Sequence, residues 1–285
     1  MIRGIGDNLL LLTAAEQYQR KTGEKLTLMT KYAEFFQYAD CCYVLLGEHG
    51  YPLYLERLEN RRHPKINETI KVGKFTLTTK FAVPGVGWHT NAEGNEFWGA
   101  PVGKHYLTVM YASLGLTGDI EIAPHLELTV AEKSFGRFSA RKQVALMNGG
   151  KMRYKSLPTP TMQTIVNQLR EKYDFVQIGA GRNEPLTGAR NLQGKLTLRQ
   201  TAAVLANSDL FVGAIGGLMH LARAVECPAV IAYAGEPPEL CYYAGNAYVF
   251  PDGDSLSRLD PRAMAAAIET RLAEPREFPL QTATI

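Results

Sequence analysis

Leu210-Phe211-Val212-Gly213-Ala214-Ile215-Gly216-Gly217-Leu218-Met219-His220-Leu221-Ala222 is the stretch that decides the fold. An apolar run too short for a helix enters a segment with three glycines. Leu218, Leu221, Ala222 and Val225 then recur at the spacing of one helical face. The unit reads as strand, glycine turn, helix. The same grammar lies on either side of it. Residues 144–147 are apolar and are broken by Asn148-Gly149-Gly150, and after Pro158 and Pro160 a helical stripe runs through Met162, Ile165, Val166 and Leu169. Residues 175–178 lead to Gly179 and Gly181, then to a helix carrying Leu198, Ala202 and Leu205, and residues 229–233 close the series. Strand, turn and helix repeated four times predict an α/β fold, a parallel sheet covered by helices on both faces.

The N-terminal half is less regular. The pattern predicts a helix over 8–22, a strand over 25–29, a short helix and a strand over 43–46, then a second long helix over 104–116 that ends at Gly115. Residues 60–104 are polar, contain six Gly and three Pro, and read as an insertion or a loop-rich edge. Residues 126–142 are charged and weakly periodic, so the linker is placed there. No repeat of 20–50 residues is present, which excludes a solenoid or propeller. The expected organisation is two α/β domains across a cleft, residues 1–130 and residues 143–285.

Composition bounds the function. The 285 residues are 46% hydrophobic and 21% charged, an ordinary globular balance. Lys plus Arg exceed Asp plus Glu by 31 to 28, a net +3 spread along the chain, too diffuse for nucleic acid as the main partner. The four cysteines, at 41, 42, 227 and 241, include no C-x-x-C pair and read as reduced thiols of a cytosolic protein. No apolar run reaches the roughly 18 residues of a membrane span, and the N-terminus lacks the pattern of a signal peptide. The expectation is a soluble cytoplasmic protein.

Three motifs carry candidate chemistry. Gly4-Ile5-Gly6-Asp7-Asn8 stands at the mouth of the first helix, where glycines permit close approach and unpaired N–H groups favour an anion. Asp7 either caps the helix or points into the cleft as a general base. Asn148-Gly149-Gly150, followed by Lys151, Arg153 and Lys155, sits after a strand, where open α/β sheets bind ligands. Two glycines beside three cations suit a diphosphate; the alternative is a solvated basic loop. Gly213 to Gly217 and His220 form the third motif, a glycine turn at a helix N-terminus and so a phosphate site, with His220 either packed in the first turn or catalytic.

Other chemistries are excluded by what is missing. His49, His63, His89, His105 and His125 are scattered, with no H-x-x-x-H and no carboxylate cluster for a metal. There is no G-x-S-x-G, no G-x-x-x-x-G-K-[ST], and the third glycine of G-x-G-x-x-G falls on Leu9, so hydrolase, P-loop and nicotinamide readings are disfavoured.

Taken in order, these motifs resemble glycosyltransferase family 9, the ADP-heptose:lipopolysaccharide heptosyltransferases. The family's G-x-G-D-x-L is matched by Gly4 to Leu9. Its middle lysine motif is resembled by Gly149-Gly150 and Lys155-Ser-Leu-Pro158, and "N-L-x-G-x-x-S-L" by Asn191 to Leu198. "D-S-G-x-x-H-L-A" is similar to Ile215 to Ala222, and the closing helix to residues 259–268. The resemblance implies a GT-B fold, acceptor on the N-terminal domain and nucleotide sugar on the C-terminal one. It implies inverting glycosyl transfer without metal or cofactor, from a nucleoside-diphosphate sugar, ADP-heptose, to lipopolysaccharide or another glycan or lipid-linked acceptor, with no nucleic-acid partner and at most peripheral membrane association. Asp7 would be the general base, and Lys155 would balance charge on the leaving diphosphate. Gly149, Gly150, Gly216 and Gly217 would hold the phosphates with His220 beside them. Leu196 would border the nucleobase and Glu184 reach the ribose.

The resemblance has three departures. The carboxylate expected to hold sugar hydroxyls is Ile215 here. The chain begins three residues before Gly4, so the family's first strand is nearly absent. The stretch from Trp88 to Trp98 is unusual and lies toward the acceptor side. The alternatives are a GT-B transferase acting on a protein or small molecule with another donor, and a non-catalytic nucleotide-sugar binder.

Overall fold

The structure, a computed structural model, describes residues 4–30, 32–45, 69–72, 75–78, 87–90, 96–99, 103–150, 155–181, 183–234 and 238–285. Lys151 and Arg153 of the basic loop, His49 and His63 lie outside them.

The C-terminal half is a six-stranded, wholly parallel sheet: β8 (Gln143–Leu146), β9 (Asp174–Gln177), β10 (Ala189–Asn191), β11 (Leu210–Ala214), β12 (Ala229–Ala232) and β13 (Ala247–Val249). Their spatial order is β10-β9-β8-β11-β12-β13. That is the doubly wound order, two runs growing outward from a central pair, β8 and β11. The four apolar runs of the sequence are the four inner strands. β10 and β13, three residues each and only partly buried, are edge strands that the apolar pattern did not signal.

The period-2 alternation of β8 divides the core. Val144 and Leu146 point to one face, packed with Met162, Ile165 and Val166 of α4 (Thr159–Leu169) and Met264 and Ile268 of α7 (Pro261–Ala273). Ala145 points to the other, beneath α5 (Leu198–Ala206) and α6 (Gly217–Ala224). The cluster on this second face runs on without a break into the N-terminal half.

The bridge is α1 (Ile5–Thr22), whose Leu9, Leu10, Leu12, Ala14, Ala15 and Tyr18 are buried. A helix apolar around most of its circumference must be enclosed. Here α1 packs against α6 on one side and α2 (Tyr106–Ser113) on another. It begins at Ile5, three residues ahead of the expected start, because Gly4 is extended and capped; it ends on Gly23 in the left-handed region, φ +73°. β1 (Leu26–Met29) and β2 (Cys42–Leu45) follow as a parallel pair.

The loop-rich segment contains two antiparallel pairs, β3 (Thr69–Val72) with β4 (Phe75–Thr78) and β5 (Gly87–Thr90) with β6 (Glu96–Gly99), which place Trp88 opposite Trp98. β14 (Thr282–Thr284) returns the C-terminus to pair antiparallel with β7 (Asp119–Glu121).

Residues 126–142 are fixed to the C-terminal half. Leu126 N–H donates to Ala224 O at 3.1 Å, and α3 (Val130–Lys133) starts with a reciprocal Thr129–Glu132 capping box. Glu132 holds Arg199 by two bonds of 2.5 and 2.7 Å. The Arg199 guanidinium also donates to Glu127 O at 2.7 Å and stacks 4.7 Å over the Tyr38 ring, while Glu34 Oε2 accepts the Leu198 N–H at the head of α5 at 3.0 Å. Planar, forked donors suit such a hub. It joins the N-terminal half, the connecting segment and α5 in one set of charge-assisted bonds.

Among the described residues no helix is long and apolar enough to cross a membrane, and no group of three or more His, Cys, Asp or Glu is placed to hold a metal ion.

Candidate active site

In a doubly wound sheet the ligand crevice opens where the strand order reverses, at the carboxyl ends of the central pair. Here that point lies between the loop after β8, which starts at Met147, and the loop after β11, Ile215 to Gly217. Both are glycine motifs singled out in the sequence.

The described residues of the loop after β8, 147–150 and 155–157, form a cradle. Asn148 O accepts the Leu157 N–H at 2.8 Å, and the Gly150 N–H donates to Ser156 Oγ at 3.0 Å. Asn148 is buried, and its Oδ1 accepts from Gln177 Nε2 at 3.1 Å. Both glycines are needed for space: a Cβ on Gly149 would fall on the Asn183 amide, and one on Gly150 would stand 2.9 Å from Lys155 O. Lys155 is half-buried at the far end of the cradle, and its charge reaches across to His220.

The loop after β11 needs glycine for two reasons. Gly216 has φ +156° and ψ −170°, backbone that essentially only glycine adopts. Gly217 opens α6 against the first turn of α1, and a Cβ on it would lie 2.8 Å from Ile5 Cβ and 3.2 Å from Gly6 N. Gly6 returns the approach, since a Cβ there would overlap His220 Cδ2. The first and last sequence motifs therefore meet as two helix N-termini crossing through a glycine pair.

Asp7 stands in the first turn of α1, and its Oδ2 accepts the Gly4 N–H at 2.9 Å. The capping role is thus real in the structure. Asn8, fully buried, ties the same turn to the end of β1: its Nδ2 donates to Gly4 O at 2.8 Å and its Oδ1 accepts from Thr30 Oγ1 at 2.5 Å. Tyr106, next to α1 at the head of α2, has its phenol pKa raised, first by burial and then by the Asp7 charge.

His220 is buried and shares a 2.6 Å hydrogen bond between Nδ1 and the hydroxyl of Tyr243, which is itself fully buried. Burial, then the charges of His105 and Lys155, pull its pKa down to about 3. It is a neutral ring packed into the wall. Leu196 is half-buried in the loop between β10 and α5, where Gly181 and Gly194 bring the two loops into contact. Glu184 is exposed and is held by its backbone, its carbonyl accepting from Gln177 Nε2 at 3.1 Å. Ile215 is 2% exposed and packs in the core, so its side chain is turned away from the crevice.

Sequence reasoning did not single out Tyr243, Asn183, Tyr106 or His105. None sits in a spaced motif, and each reaches the site through the fold. His105 caps α2, its Nδ1 accepting the Leu107 N–H at 3.1 Å, and it lies against Tyr243 with ring centroids 5.3 Å apart.

Residues 163–247, from within α4 to the start of β13, match the family model "Glycosyltransferase family 9 (heptosyltransferase)". No curated protein sequence matches the chain. In fold it is similar to the crystal structure of a glycosyl transferase family 9 protein from Veillonella parvula DSM 2008, at 14% identity, 96% of both chains and TM-score 0.67. It is also similar to E. coli ADP-heptose lps heptosyltransferase II, at 16% identity, covering 95% of this chain and 96% of that one, TM-score 0.61. E. coli heptosyltransferase WaaC with ADP matches at 16% identity, over 95% and 96% of the two chains, TM-score 0.59. Residues 163–247 thus match the family 9 heptosyltransferase model, and along nearly its whole length the chain is similar in fold to glycosyltransferases of that family.

Proposed function

We propose that the protein is an inverting, metal-independent transferase that moves a heptose from ADP-heptose to a hydroxyl of lipopolysaccharide or a related glycan, working in the cytoplasm. The observation that carries this reading is the crossing of α1 and α6: it sets Asp7 one residue from the glycine turn that faces the switch-point crevice. Proteins of similar fold include the ADP-heptose lps heptosyltransferase II and WaaC bound to ADP, which supports a nucleoside-diphosphate sugar as donor.

In this reading the diphosphate lies at the N-terminus of α6, where the Gly216 and Gly217 N–H groups and the helix dipole favour an anion. Gly149 and Gly150 leave room for it, and Lys155 neutralises charge as the anomeric carbon–oxygen bond breaks and electrons pass to the phosphate. Asp7 takes the acceptor hydroxyl's proton while that oxygen attacks the anomeric carbon from the opposite face. Leu196 borders the base, and His220 holds the turn in shape through Tyr243. The two domains, residues 1–130 and 143–285, supply acceptor and donor sides.

A melting screen against ADP, GDP, UDP, CMP and NADH tests the donor. A ligand at a hundredfold excess over its Kd stabilises by about 2.7 kcal/mol. ADP alone is expected to raise Tm; a response to another nucleotide only would overturn the ADP-sugar assignment. Asp7→Asn keeps an oxygen for the Gly4 N–H but removes the base. It is expected to leave ADP affinity intact and to lower turnover with ADP-heptose about 10³-fold.

A further inference from the structure

We infer that the Nε2–H of His105 is a hydrogen-bond donor to a hydroxyl oxygen of the transferred sugar, which makes His105 a specificity-determining residue. The inference rests on the nucleotide-sugar reading above. Its starting point is an unpaired atom. His105 Nδ1 accepts the Leu107 N–H at 3.1 Å, so the proton of the neutral ring is assigned to Nε2. Burial keeps the ring neutral, with its pKa down to about 4. Nε2 is buried and has no hydrogen-bond partner among the described residues, and His105 is 8% exposed overall. Buried donors are paired in the great majority of native structures. A helix N-cap needs only one acceptor, which Ser, Thr, Asp or Asn provides without stranding a donor. The cap therefore does not account for the rest of the ring.

Its surroundings point to a sugar. The ring rests on Tyr243, which holds His220, and His220 lies in the first turn of α6 where the diphosphate is placed. The next residue, Tyr106, is within the field of Asp7. His105 thus lies between the proposed phosphate turn and the proposed base, where a sugar carried by the second phosphate must sit. The carboxylate that the family resemblance places at position 215 for sugar hydroxyls is here an isoleucine in the core. A neutral N–H arriving from α2 reads the same hydroxyls through their oxygen lone pairs. Nε2 is closed to solvent in this structure, so the sugar meets it by parting the His105–Tyr243 ring contact.

Two substitutions separate the two nitrogens. His105→Asn keeps a side-chain oxygen for the cap and loses the far donor; His105→Gln places an amide N–H near Nε2 and loses the cap. Calorimetric titration with ADP and with ADP-heptose gives the sugar's contribution as the ratio of the two Kd values. The wild-type protein is expected to prefer ADP-heptose. In His105→Asn that preference falls about tenfold with ADP affinity unchanged, the loss of one well-placed hydrogen bond. His105→Gln keeps the preference within about threefold while melting lower. The Nε2–H resonance of His105 is expected to move with ADP-heptose and to stay in place with ADP. A wild-type preference in His105→Asn, or a preference that falls with Tm in both variants, would overturn the inference. So would a wild-type protein that binds ADP-heptose no more tightly than ADP. A wild-type protein that binds neither compound would instead overturn the transferase reading itself, in the unsubstituted arm.

Discussion

Replacing Gly6 with alanine tests the crossing on which the site depends. The new methyl would overlap His220 Cδ2 by about 1 Å against an ordinary carbon–carbon contact near 3.5 Å, and would stand 3.1 Å from Nε2. The His220 ring cannot simply swing aside, because it is buried and its Nδ1 is bound to the Tyr243 hydroxyl at 2.6 Å. Overpacking of this kind costs about 1–3 kcal/mol, and losing the Tyr243 bond adds about 1. Alanine returns up to about 1 kcal/mol of helix propensity. The net is a destabilisation of about 1–3 kcal/mol, or a Tm about 2–12 °C lower for a chain of this size. If α1 yields instead, Asp7 shifts with it, and a displacement near 1 Å costs about 10²-fold in turnover. Calorimetric melting with a transfer assay follows both. The double variant Gly6→Ala, His220→Ala removes the obstructing ring and is expected to recover at least about 1 kcal/mol relative to the sum of the single changes. A Gly6→Ala protein that melts and turns over like wild type, or a double-mutant cycle with no coupling, would refute the reasoning.

Glu132 is held below the usual carboxylate range, at about 2, first by its bonds to Arg199. A depressed folded pKa contributes stability that is complete above the unfolded value near 4.5 and is lost as pH falls toward 2. Glu132→Gln should therefore melt about 5–10 °C lower at pH 7, a loss of about 3 kcal/mol with Arg199 left buried, and match wild type near pH 2 in a Tm series. Ile215→Asp restores the carboxylate of the family pattern in sequence only. Because position 215 is turned into the core, the variant should lose about 3 kcal/mol or more by denaturant titration and gain no affinity for ADP-heptose.

The C-terminal sheet was legible because parallel strands covered on both faces must be apolar throughout and must end where the chain turns. Gly149, Gly179 and Gly216 marked those ends. The edge strands β10 and β13 left no such mark: each is three residues long and only partly buried, too short for an apolar run to stand out. The start of α1 was misplaced because Gly4-Ile-Gly6 reads as a turn. Only the return of the Asp7 carboxylate to the Gly4 N–H lets a helix begin among glycines. Of the site, the glycines, Asp7 and Lys155 were visible as motifs. The orientation of Ile215, the partner of His220 and the stranded nitrogen of His105 depend on contacts between residues far apart in sequence. No local pattern encodes them. Arg199 is the same case, since its partners come from two segments distant in sequence, Glu34 from one and Glu127 and Glu132 from the other.

The two readings of Asp7, cap and base, are compatible once its geometry is known. A carboxylate offers about four lone-pair sites, so accepting the Gly4 N–H at Oδ2 does not by itself preclude accepting a proton. That bond does for the carboxylate what an orienting partner does for a catalytic histidine: it fixes the direction in which the group meets a proton. The helix beneath is fixed in turn. Asn8 ties its first turn to β1, Gly6 and Gly217 seat it against α6, and its leucines are sealed between α2 and α6. The position of Asp7 relative to the Gly216-Gly217 turn is therefore set by packing within one continuous core, and not by side-chain freedom at the surface. Stability and turnover should then separate cleanly at position 7. Asparagine can serve the cap and hold the helix, but it cannot accept a proton, so its fold should survive where its chemistry does not.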